Sequence, residues 1–444
     1  MKAEQLLAYV SCFSVLNMAD AMVSNTPGAL TGTSTSPLHL LTSPPEVLRE
    51  YYGWEELQHA DKAHAVWACL RKGLDVLVEH ECMRTKHASP RLHRQLLDSN
   101  CAPVSPVTLS SSSISEDETQ KLLITLSDGL SVECVIIPMP GRRHSSLCVS
   151  SQVGCSRGCA FCSTGTMGLI RSLSAEEILA QVWIALRVVR QHDLPPLVNV
   201  VFMGMCAPPP HKPLVPYLGG RAYSPCTGAL LALRGEPLNN FEAVSKAVDM
   251  LVHPKAFALS RRNVCVSTVG PSPHLIAKAG KLPCRLAWSV HAADDELRKL
   301  LVPTSLHSMS ELRDAFRAAL ANKPGGDKSK GLLVELALMG GVNDQLEHAE
   351  QLRHLLHPFG RNEVLVNLIP YNENGLELQG KLFRAPHMQD VYKFQRHLWD
   401  AGILCTVRAT RGDKERSACG QLATEVSASW TRNRRPKSAT PSME

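Results

Sequence analysis

The chain has 444 residues, a formal net charge of +6 and a sequence pI near 8.6. Its apolar fraction of 44% and charged fraction of 20% are ordinary for a globular protein and exclude a fibrous or wholly disordered chain. The basic excess suits a polyanionic partner, but many enzymes are equally basic, so charge alone does not indicate a function.

Residues 1–48 are predicted to form a flexible leader or a targeting segment. Residues 22–48 are rich in Ser, Thr, Pro and Gly and carry almost no charge. The apolar stretch from Leu6 to Leu16 resembles a signal peptide, although Lys2 is the only basic residue before it. No apolar run reaches the roughly 18 residues of a membrane span. We therefore expect an intracellular protein, cytoplasmic or, if the leader is a targeting segment, located in a plastid or mitochondrion.

Residues 49–104 are predicted to form a small helical domain. Apolar residues recur at helical spacing from Glu50 to about Leu97. The serine-rich run from Ser105 to Ser115 is then predicted to be a linker.

The main domain, residues 120–423, alternates short β-branched runs with amphipathic helices. It begins with a hairpin over Lys121–Pro138, around the turn Ser127-Asp128-Gly129. The following predicted strands are 146–150, 197–203, 263–268, 285–290, 332–338 and 363–369, and the predicted helices are 174–190, 241–253, 272–281, 309–322, 346–357 and 387–401. Repeated units of this kind form a parallel sheet. We predict an α/β fold, a partial (β/α)6 barrel with its active site at the C-terminal ends of the strands.

Two segments fall outside this scheme. Residues 206–234 contain six prolines in 29 residues and show no clear periodicity, so they are either an insertion or an error in the sequence. Residues 424–444 form a polar, basic tail that is predicted to be disordered.

A cysteine triplet follows the first barrel strand, in the segment Cys155-Ser-Arg-Gly-Cys159-Ala-Phe-Cys162. The chain has 15 cysteines, too few for a disulfide scaffold at this length, which indicates thiols used for chemistry in a reducing compartment. Three thiolates on one loop can bind three irons of a 4Fe-4S cluster and leave the fourth iron open. A structural zinc site without an obvious fourth ligand and a chance spacing are the alternatives.

Later strands end in small or polar residues at the edge where the active site of a barrel lies. Any one of these residues is more often a structural cap than a ligand. Their convergence on one rim favours a binding site beside the cysteine loop. The segments are Met203-Gly204-Met205, Ser267-Thr268, Ser289-Val290-His291 and Pro370-Tyr371-Asn372.

Four motifs together resemble the RlmN/Cfr family of radical S-adenosylmethionine (SAM) RNA adenine methyltransferases. They are Cys148-Val-Ser-Ser-Gln-Val-Gly-Cys155, Phe161-Cys162-Ser-Thr-Gly, Asn367-Leu-Ile-Pro-Tyr-Asn372, and Arg411-Gly412-Asp413 with Ala418-Cys419-Gly420-Gln421-Leu422. The resemblance extends from about Lys121 to Val426. It is poor in the N-terminal region, where the family carries a small helical RNA-binding domain.

The resemblance implies a role for each matching residue. The cluster ligands would be Cys155, Cys159 and Cys162. The residues that bind SAM would be Gly235, Glu236, Ser267, Ser289, Val290, His291 and Asn372. The catalytic residues would be Cys419 as methyl carrier, Cys148 as its resolving partner and Glu133 as general base.

The family chemistry explains why two further cysteines are needed. One SAM methylates the cysteine corresponding to Cys419, and a second SAM supplies a 5′-deoxyadenosyl radical that takes a hydrogen atom from this methyl group. The carbon radical adds to adenine, Glu133 removes the ring proton, and Cys148 releases the product by forming a disulfide with Cys419. The resemblance thus implies methylation of adenine carbon 2 in ribosomal RNA, with transfer RNA as a further substrate. We expect a monomer that receives electrons from a donor such as flavodoxin or ferredoxin.

The predicted insertion interrupts one family motif. The family has a continuous Gly-Met-Gly-Glu-Pro, whereas here residues 206–234 separate Gly204-Met205 from Gly235-Glu236-Pro237. An unspliced, in-frame intron of a eukaryotic gene would explain this. The alternatives are carbon-8 methylation of the Cfr type, a non-catalytic iron-sulfur or RNA-binding protein inactivated by the insertion, and a thiol-redox protein that uses Cys148 and Cys419.

Overall fold

The computed structural model describes residues 38–54, 62–85, 88–99, 101–139, 143–203, 235–323, 331–360 and 362–408. Three segments from the sequence analysis lie outside these ranges. They are the first 37 residues of the predicted leader, residues 204–234 with the insertion, and residues 409–444 with Cys419.

The described residues form helices and strands with the following bounds. The α-helices are α1 Pro45–Tyr52, α2 Lys62–Leu70, α3 Glu79–Cys82, α4 Pro90–Asp98, α5 Ala175–Gln191, α6 Phe241–Val252, α7 Pro273–Gly280, α8 Asp295–Leu301, α9 Met309–Ala321, α10 Leu346–Leu356 and α11 Met388–Asp400. The strands are β1 Thr108–Ile114, β2 Gln120–Thr125, β3 Ser131–Pro138, β4 Ser145–Val149, β5 Gln152–Gly154, β6 Leu169–Ser172, β7 Leu197–Phe202, β8 Val264–Thr268, β9 Arg285–Ser289, β10 Leu332–Leu338, β11 Val364–Pro370, β12 Glu377–Leu378, β13 Lys381–Leu382 and β14 Leu404–Val407. Short 3-10 helices cover Leu40–Thr42, Gly165–Met167, Pro237–Asn240 and Arg261–Asn263.

Ten strands of the described residues form the central sheet, in the order β1-β2-β3-β4-β7-β8-β9-β10-β11-β14. In this order, the strands β4, β7, β8, β9, β10, β11 and β14 run parallel to one another. The strands β1, β2 and β3 extend the sheet beyond β4 in antiparallel pairing. The predicted partial α/β barrel is confirmed, and so are the hairpin of β2 and β3 and the six predicted strand–helix units. The structure adds β14 as a further parallel strand at the edge of the sheet.

Side chains alternate between two faces of the sheet because successive residues of a strand point in opposite directions. The outer face is apolar and packs against the helices in the main hydrophobic core. Trp288 on β9 illustrates this face, since its ring is fully buried and stacks on Phe316 of α9 at a centroid distance of 4.9 Å. The opposite, inner face carries polar side chains on neighbouring strands. They include Cys148, Ser267, Ser289, Glu335 and Asn367.

The helix α5 begins with a capping box, which supplies hydrogen-bond partners for backbone N–H groups at the start of the helix. The Ser174 side chain accepts a hydrogen bond from the Glu177 backbone N–H, and the Glu177 carboxylate accepts one from the Ser174 backbone N–H. The buried residues of α5, Ile178 and Val182 among them, then cover the outer face of the sheet.

The N-terminal helices α1 to α4 belong to the same compact unit as the barrel within the described residues from Leu38 onward. Trp67 of α2 is fully buried in the main core and donates from its indole nitrogen to the Ser43 carbonyl at 3.0 Å. Arg187 of α5 binds Glu81 of α3 at 2.8 Å. The described residues between 49 and 104 include the helices α1 to α4, while the predicted N-terminal domain and its boundary near residue 104 stay a prediction. Because α1 begins at Pro45 and Leu40 and Leu41 are buried, a flexible leader extending to residue 48 is a wrong prediction.

The prediction that the serine-rich run is a linker is also wrong. Residues Thr108–Ile114 form β1, which pairs with β2 along its length. Nearly all of its side chains are exposed because it is an edge strand. An exposed edge strand needs no apolar residues, so its serines gave no alternating hydrophobic pattern.

None of the helices in the described ranges has both the length and the apolar character that crossing a membrane requires.

Candidate active site

The three cysteines of the triplet lie on one buried loop between β5 and β6. Cys155 and Cys159 are 7% exposed and Cys162 is 8% exposed. The loop is tight: a Cβ on Gly154, whose φ is +87°, would lie 2.1 Å from the Gly168 carbonyl oxygen. A Cβ on Gly165 would lie 2.7 Å from the Cys159 backbone nitrogen. Only glycine permits this close approach of the backbone.

The chemistry of these thiols fits an iron-sulfur cluster. Burial raises the pKa of Cys155 to about 12, and the charge of Cys162 contributes to the rise. Burial also raises the pKa of Cys159 well above its ordinary value, and the negative charges of Cys162 and Cys155 raise it further. The three thiols are therefore close enough to repel one another when ionised. Bound iron offsets that charge and keeps thiolates deprotonated.

Within the described part of the chain, no group of three or more His, Cys, Asp or Glu is arranged to hold a single metal ion. The ligands of a 4Fe-4S cluster bind different irons and do not need to converge on one point. No two cysteines of the described residues are joined by a disulfide bond.

The end of α8 and the loop after β11 hold the cysteine loop from two sides. The Ala160 N–H donates to the Leu301 carbonyl at 2.9 Å at the end of α8. The Phe161 carbonyl accepts from the Tyr371 hydroxyl at 3.3 Å and from the Asn374 amide at 3.0 Å. Asn372, a predicted SAM ligand, lies between these two residues after β11. The loop after β11 is therefore placed beside the cysteine loop.

Gly235 and Glu236 belong to the second half of the interrupted motif, and both contact Gln152 of β5. Gly235 has a φ of +75°, and a Cβ there would lie 2.3 Å from the Gln152 side chain. The Glu236 N–H donates to Gln152 Oε1 at 2.9 Å. The Glu236 carboxylate is 3% exposed and accepts from the backbone N–H groups of Leu238 and Val269, each at 3.1 Å. Burial raises the pKa of Glu236, and hydrogen bonds from Thr268 and these N–H groups act in the opposite direction.

Ser267 and Ser289 lie on the inner face of adjacent strands. Their hydroxyl oxygens are 3.2 Å apart, and Ser267 Oγ also donates to Glu335 Oε2 at 2.8 Å. Glu335 on β10 is directly opposite Ser289 in the parallel register. All three side chains are at most 7% exposed.

Val290 and His291 form a strained turn after β9. His291 has a φ of +56°, a conformation that favours glycine, and its carbonyl accepts from the Asn343 amide at 2.7 Å. Its imidazole Nδ1 accepts from the Ala337 N–H at 3.3 Å, and its ring centroid lies 4.6 Å from that of Phe161 on the cysteine loop. Burial lowers the pKa of His291 well below its ordinary value, so the ring is neutral.

Arg298 of α8 is buried beneath the C-terminal ends of β8 and β9 and binds their backbone. Its guanidinium donates to the Ser289 carbonyl at 3.0 Å, to the Val269 carbonyl at 2.8 Å and to the Val290 carbonyl. It is 1% exposed, and burial lowers its pKa to about 10. One side chain thus binds three backbone carbonyl groups at the ends of β8 and β9.

Glu133 and Cys148 lie on the inner face of β3 and β4. Cys148 is directly opposite Val135, two residues along the strand from Glu133, so both side chains share that face. Glu133 is 1% exposed and its Oε1 is 3.9 Å from Lys121 Nζ. Cys148 is 4% exposed and packs with Val135 and Met203.

Known proteins resemble this chain in both sequence and structure. A sequence model of the radical SAM superfamily matches residues 149–353. A dual-specificity RNA methyltransferase RlmN of Marinobacter nauticus is 39% identical over 324 residues, which cover 72% of this chain and 77% of the relative. A probable dual-specificity RNA methyltransferase RlmN of Bifidobacterium adolescentis is 38% identical over 315 residues, covering 69% and 71% respectively. The chain belongs to the RlmN family.

A solved structure agrees with this membership. The crystal structure of a radical SAM methyltransferase from Sphaerobacter thermophilus superimposes with a TM-score of 0.67 at 29% identity, covering 87% of this chain and 99% of that one. The resemblance inferred from the motifs is confirmed, as is the fold. The cofactors of an RlmN-family chain, a 4Fe-4S cluster and SAM, are those that the sequence predicted.

The structure gathers most of the predicted site residues in one region and adds residues that the sequence did not indicate. Cys419, assigned as methyl carrier, lies outside the described residues. The additions are Gln152, Arg298, Glu335, Asn343 and Asn374. Glu335 did leave a signal, since it is the one charged residue in the apolar strand Leu332–Leu338. Arg298 left none, because a basic residue on a short helix is ordinarily a surface residue.

Proposed function

We propose that the chain methylates carbon 2 of adenine in ribosomal RNA, and in transfer RNA as a further substrate, through a methyl group carried by Cys419. The observation that carries this proposal is the placement of Glu133 and Cys148 on one inner face with Ser267 and Ser289. A base and a resolving thiol next to the SAM-binding edge are what the proposed reaction needs. The family relatives are named as dual-specificity RNA methyltransferases, which supports RNA as the substrate.

The cofactor-binding roles are assigned as follows. Cys155, Cys159 and Cys162 would hold the cluster, whose chemistry when bound is to deliver the electron that cleaves SAM into a radical. SAM itself would contact Gly235, Glu236, Ser267, Ser289, Val290, His291 and Asn372. The electron would come from a carrier such as a flavodoxin or ferredoxin, with the enzyme acting as a monomer inside the cell, in the cytoplasm or an organelle.

Glu133 would take the proton from the adenine ring carbon. Its carboxylate is buried, so water does not compete for it, and the Lys121 ammonium 3.9 Å away stabilises its negative charge. A proton acceptor positioned in this way contributes roughly a hundredfold to ten-thousandfold in rate.

Cys148 would release the product. Its thiolate would attack the sulfur of Cys419, so that a disulfide forms as the bond between that sulfur and the RNA-linked carbon breaks. The electron pair of the broken bond would stay on the carbon, which would take a proton to become the methyl group. Reduction of the disulfide by a cellular dithiol would restore both thiols for the next cycle.

Two cysteine variants test this division of labour. Cys148→Ala should accumulate protein covalently linked to RNA, because no thiol remains to release the adduct, whereas Cys419→Ala should form no adduct. Cys134→Ala is the matched control, since Cys134 is a buried cysteine on the outer face of β3. Denaturing electrophoresis with labelled RNA separates the species. Normal product release by Cys148→Ala would refute the proposed role.

The position of the new methyl group distinguishes carbon 2 from carbon 8. We expect 2-methyladenosine when the product RNA is digested and its nucleosides are compared with both standards by chromatography and mass spectrometry. The appearance of 8-methyladenosine instead would assign the Cfr-type reaction, and unmodified RNA from reconstituted protein would support the non-catalytic alternative.

The effect of residues 206–234 can be tested directly. A chain that joins Met205 to Gly235 should bind SAM more tightly and methylate RNA faster, because a shift of about 1 Å near reacting groups can cost on the order of a hundredfold in rate. The full chain is the control, together with sequencing of mature transcripts across this segment. Equal activity of both chains, with the segment present in transcripts, would show that it is a genuine part of the protein.

A further inference from the structure

Glu335 is a buried acid in the middle of an apolar strand. It is 1% exposed, and its neighbours along β10 are aliphatic. In the sheet register it stands between Ser289 on β9 and Asn367 on β11. Burying a carboxylate costs free energy unless partners compensate, so replacing it by a leucine would be expected to favour folding rather than oppose it. A role in binding accounts for its presence better than a role in packing.

The hydrogen bonds of Glu335 have a definite direction. An ionised carboxylate can only accept, so the Ser267 hydroxyl must donate to Glu335 Oε2 across their 2.8 Å contact. A hydroxyl has one hydrogen, and that of Ser267 is then used. In the 3.2 Å contact between the two serines, Ser289 must therefore be the donor. The order of donation is Ser289 to Ser267 to Glu335.

This order determines what the serines offer to a ligand. With both hydroxyl hydrogens engaged, Ser267 and Ser289 present only oxygen lone pairs. Burial raises the pKa of Glu335, and the hydrogen bond from Ser267 and the charge of Arg408 oppose that rise. Arg408 follows β14, and its backbone N–H binds the Leu368 carbonyl at 2.8 Å, so this cation belongs to the neighbouring edge of the sheet.

We propose that Glu335 is a positioning residue for SAM, which acts by orienting the Ser267 and Ser289 hydroxyls as hydrogen-bond acceptors. The donors on SAM that such acceptors fit are its ammonium and ribose hydroxyl groups. This inference rests on the proposed role of the two serines in binding SAM. It assigns to Glu335 no contact with the reacting atoms.

The dissociation constant for SAM tests the inference. It is measured by equilibrium dialysis with labelled SAM on anaerobically reconstituted protein without a reductant, so that no turnover occurs. Glu335→Leu should weaken binding by about tenfold, because the serines lose their fixed orientation. Glu335→Gln keeps an acceptor oxygen at the same place and should stay within about threefold of the original chain.

A double variant tests whether Glu335 acts through Ser267. If it does, Glu335→Leu should cause no further loss of affinity in a Ser267→Ala chain. Asn367→Leu is the matched control, since it removes a polar side chain from the same face one strand away and should leave SAM affinity unchanged. Iron content and melting temperature identify folded variants, and Glu335→Ala replaces Glu335→Leu if the latter does not fold.

The outcomes separate this inference from the proposed function. Equal SAM affinity of Glu335→Leu and the original chain, or additive losses in the double variant, would overturn the inference alone. Failure of the original reconstituted chain to bind SAM would overturn the proposed function and the inference with it.

Discussion

The two faces of the central sheet use the same strands for different purposes. On β9, Trp288 points outward into a fully buried stack with Phe316, while Ser289, the next residue, points inward to Ser267. On β10, Val334 is in the outer core and Glu335 carries the inner hydrogen bond. The outer face supplies stability through apolar burial, and the inner face supplies polar groups at positions that this burial makes rigid.

This comparison predicts that substitutions of adjacent residues have opposite consequences. Changes on the outer face should lower the free energy of unfolding, because they remove packed apolar surface. Changes at the site residues of the inner face and at the cysteine loop should lower activity or ligand affinity and leave the fold largely intact.

The largest effect is expected at the cysteine loop. Replacing any one of Cys155, Cys159 or Cys162 by Ala should abolish methylation and reduce iron from about four atoms per chain to almost none. Iron is measured by colorimetric assay after anaerobic reconstitution. Cys405→Ala, which removes a buried cysteine of β14, is the control and should keep its iron. Iron retained by all three loop variants would contradict the assignment.

The next effect concerns the inner face at β3. Glu133→Gln should lower the rate of methylation by about a hundredfold or more, since an amide cannot accept the ring proton. The dissociation constant for SAM and the melting temperature should be unchanged, because the side chain keeps its size. Single-turnover rates with RNA provide the measurement, and a rate within a fewfold of the original would remove Glu133 from the reaction.

Trp288→Ala should show the opposite behaviour on the outer face. Removing this buried ring should reduce the free energy of unfolding by about 3–5 kcal/mol. Urea unfolding followed by circular dichroism measures the loss. Asn367→Ala on the inner face is the comparison, with an expected change of about 1 kcal/mol or less. Similar losses of unfolding free energy for the two variants would show that the outer face does not contribute more to stability than the inner face.

The smallest effect is expected at a contact that belongs to neither face. Asp128, in the turn between β2 and β3, binds Arg171 of β6 at 2.6 Å, and that hydrogen bond holds the pKa of Asp128 below its ordinary value. Both side chains are partly exposed, so Asp128→Ala should cost only about 0–1 kcal/mol. Because the folded-state pKa is lowered, this stabilisation is present above a pH of about 4 and is lost as the pH falls further. Urea unfolding at neutral and acidic pH gives the free energy of unfolding of the variant and of the original chain. A difference between the two that grows at acidic pH would refute the predicted pH dependence.

The elements that the sequence predicted are those with a local signal. The alternation of β-branched runs and amphipathic helices located six parallel strands and their helices to within a few residues, because each helix must cover one apolar face of the sheet. The strand β1 was missed because an exposed edge strand has no apolar face to reveal it, and β14 because it is only four residues long. The cysteine triplet was found because its three cysteines lie within eight residues of sequence, Cys155 to Cys162.

The sequence by itself determined the barrel, the cysteine loop and the family, since each depends on residues close together in the chain. Only the tertiary structure decided which residues support the site. Ser267 and Glu335 are 68 positions apart, and Arg298 reaches the Val269 carbonyl across 29 positions. These partners meet because the parallel register places the ends of successive strands side by side, and no local pattern in the sequence encodes that register.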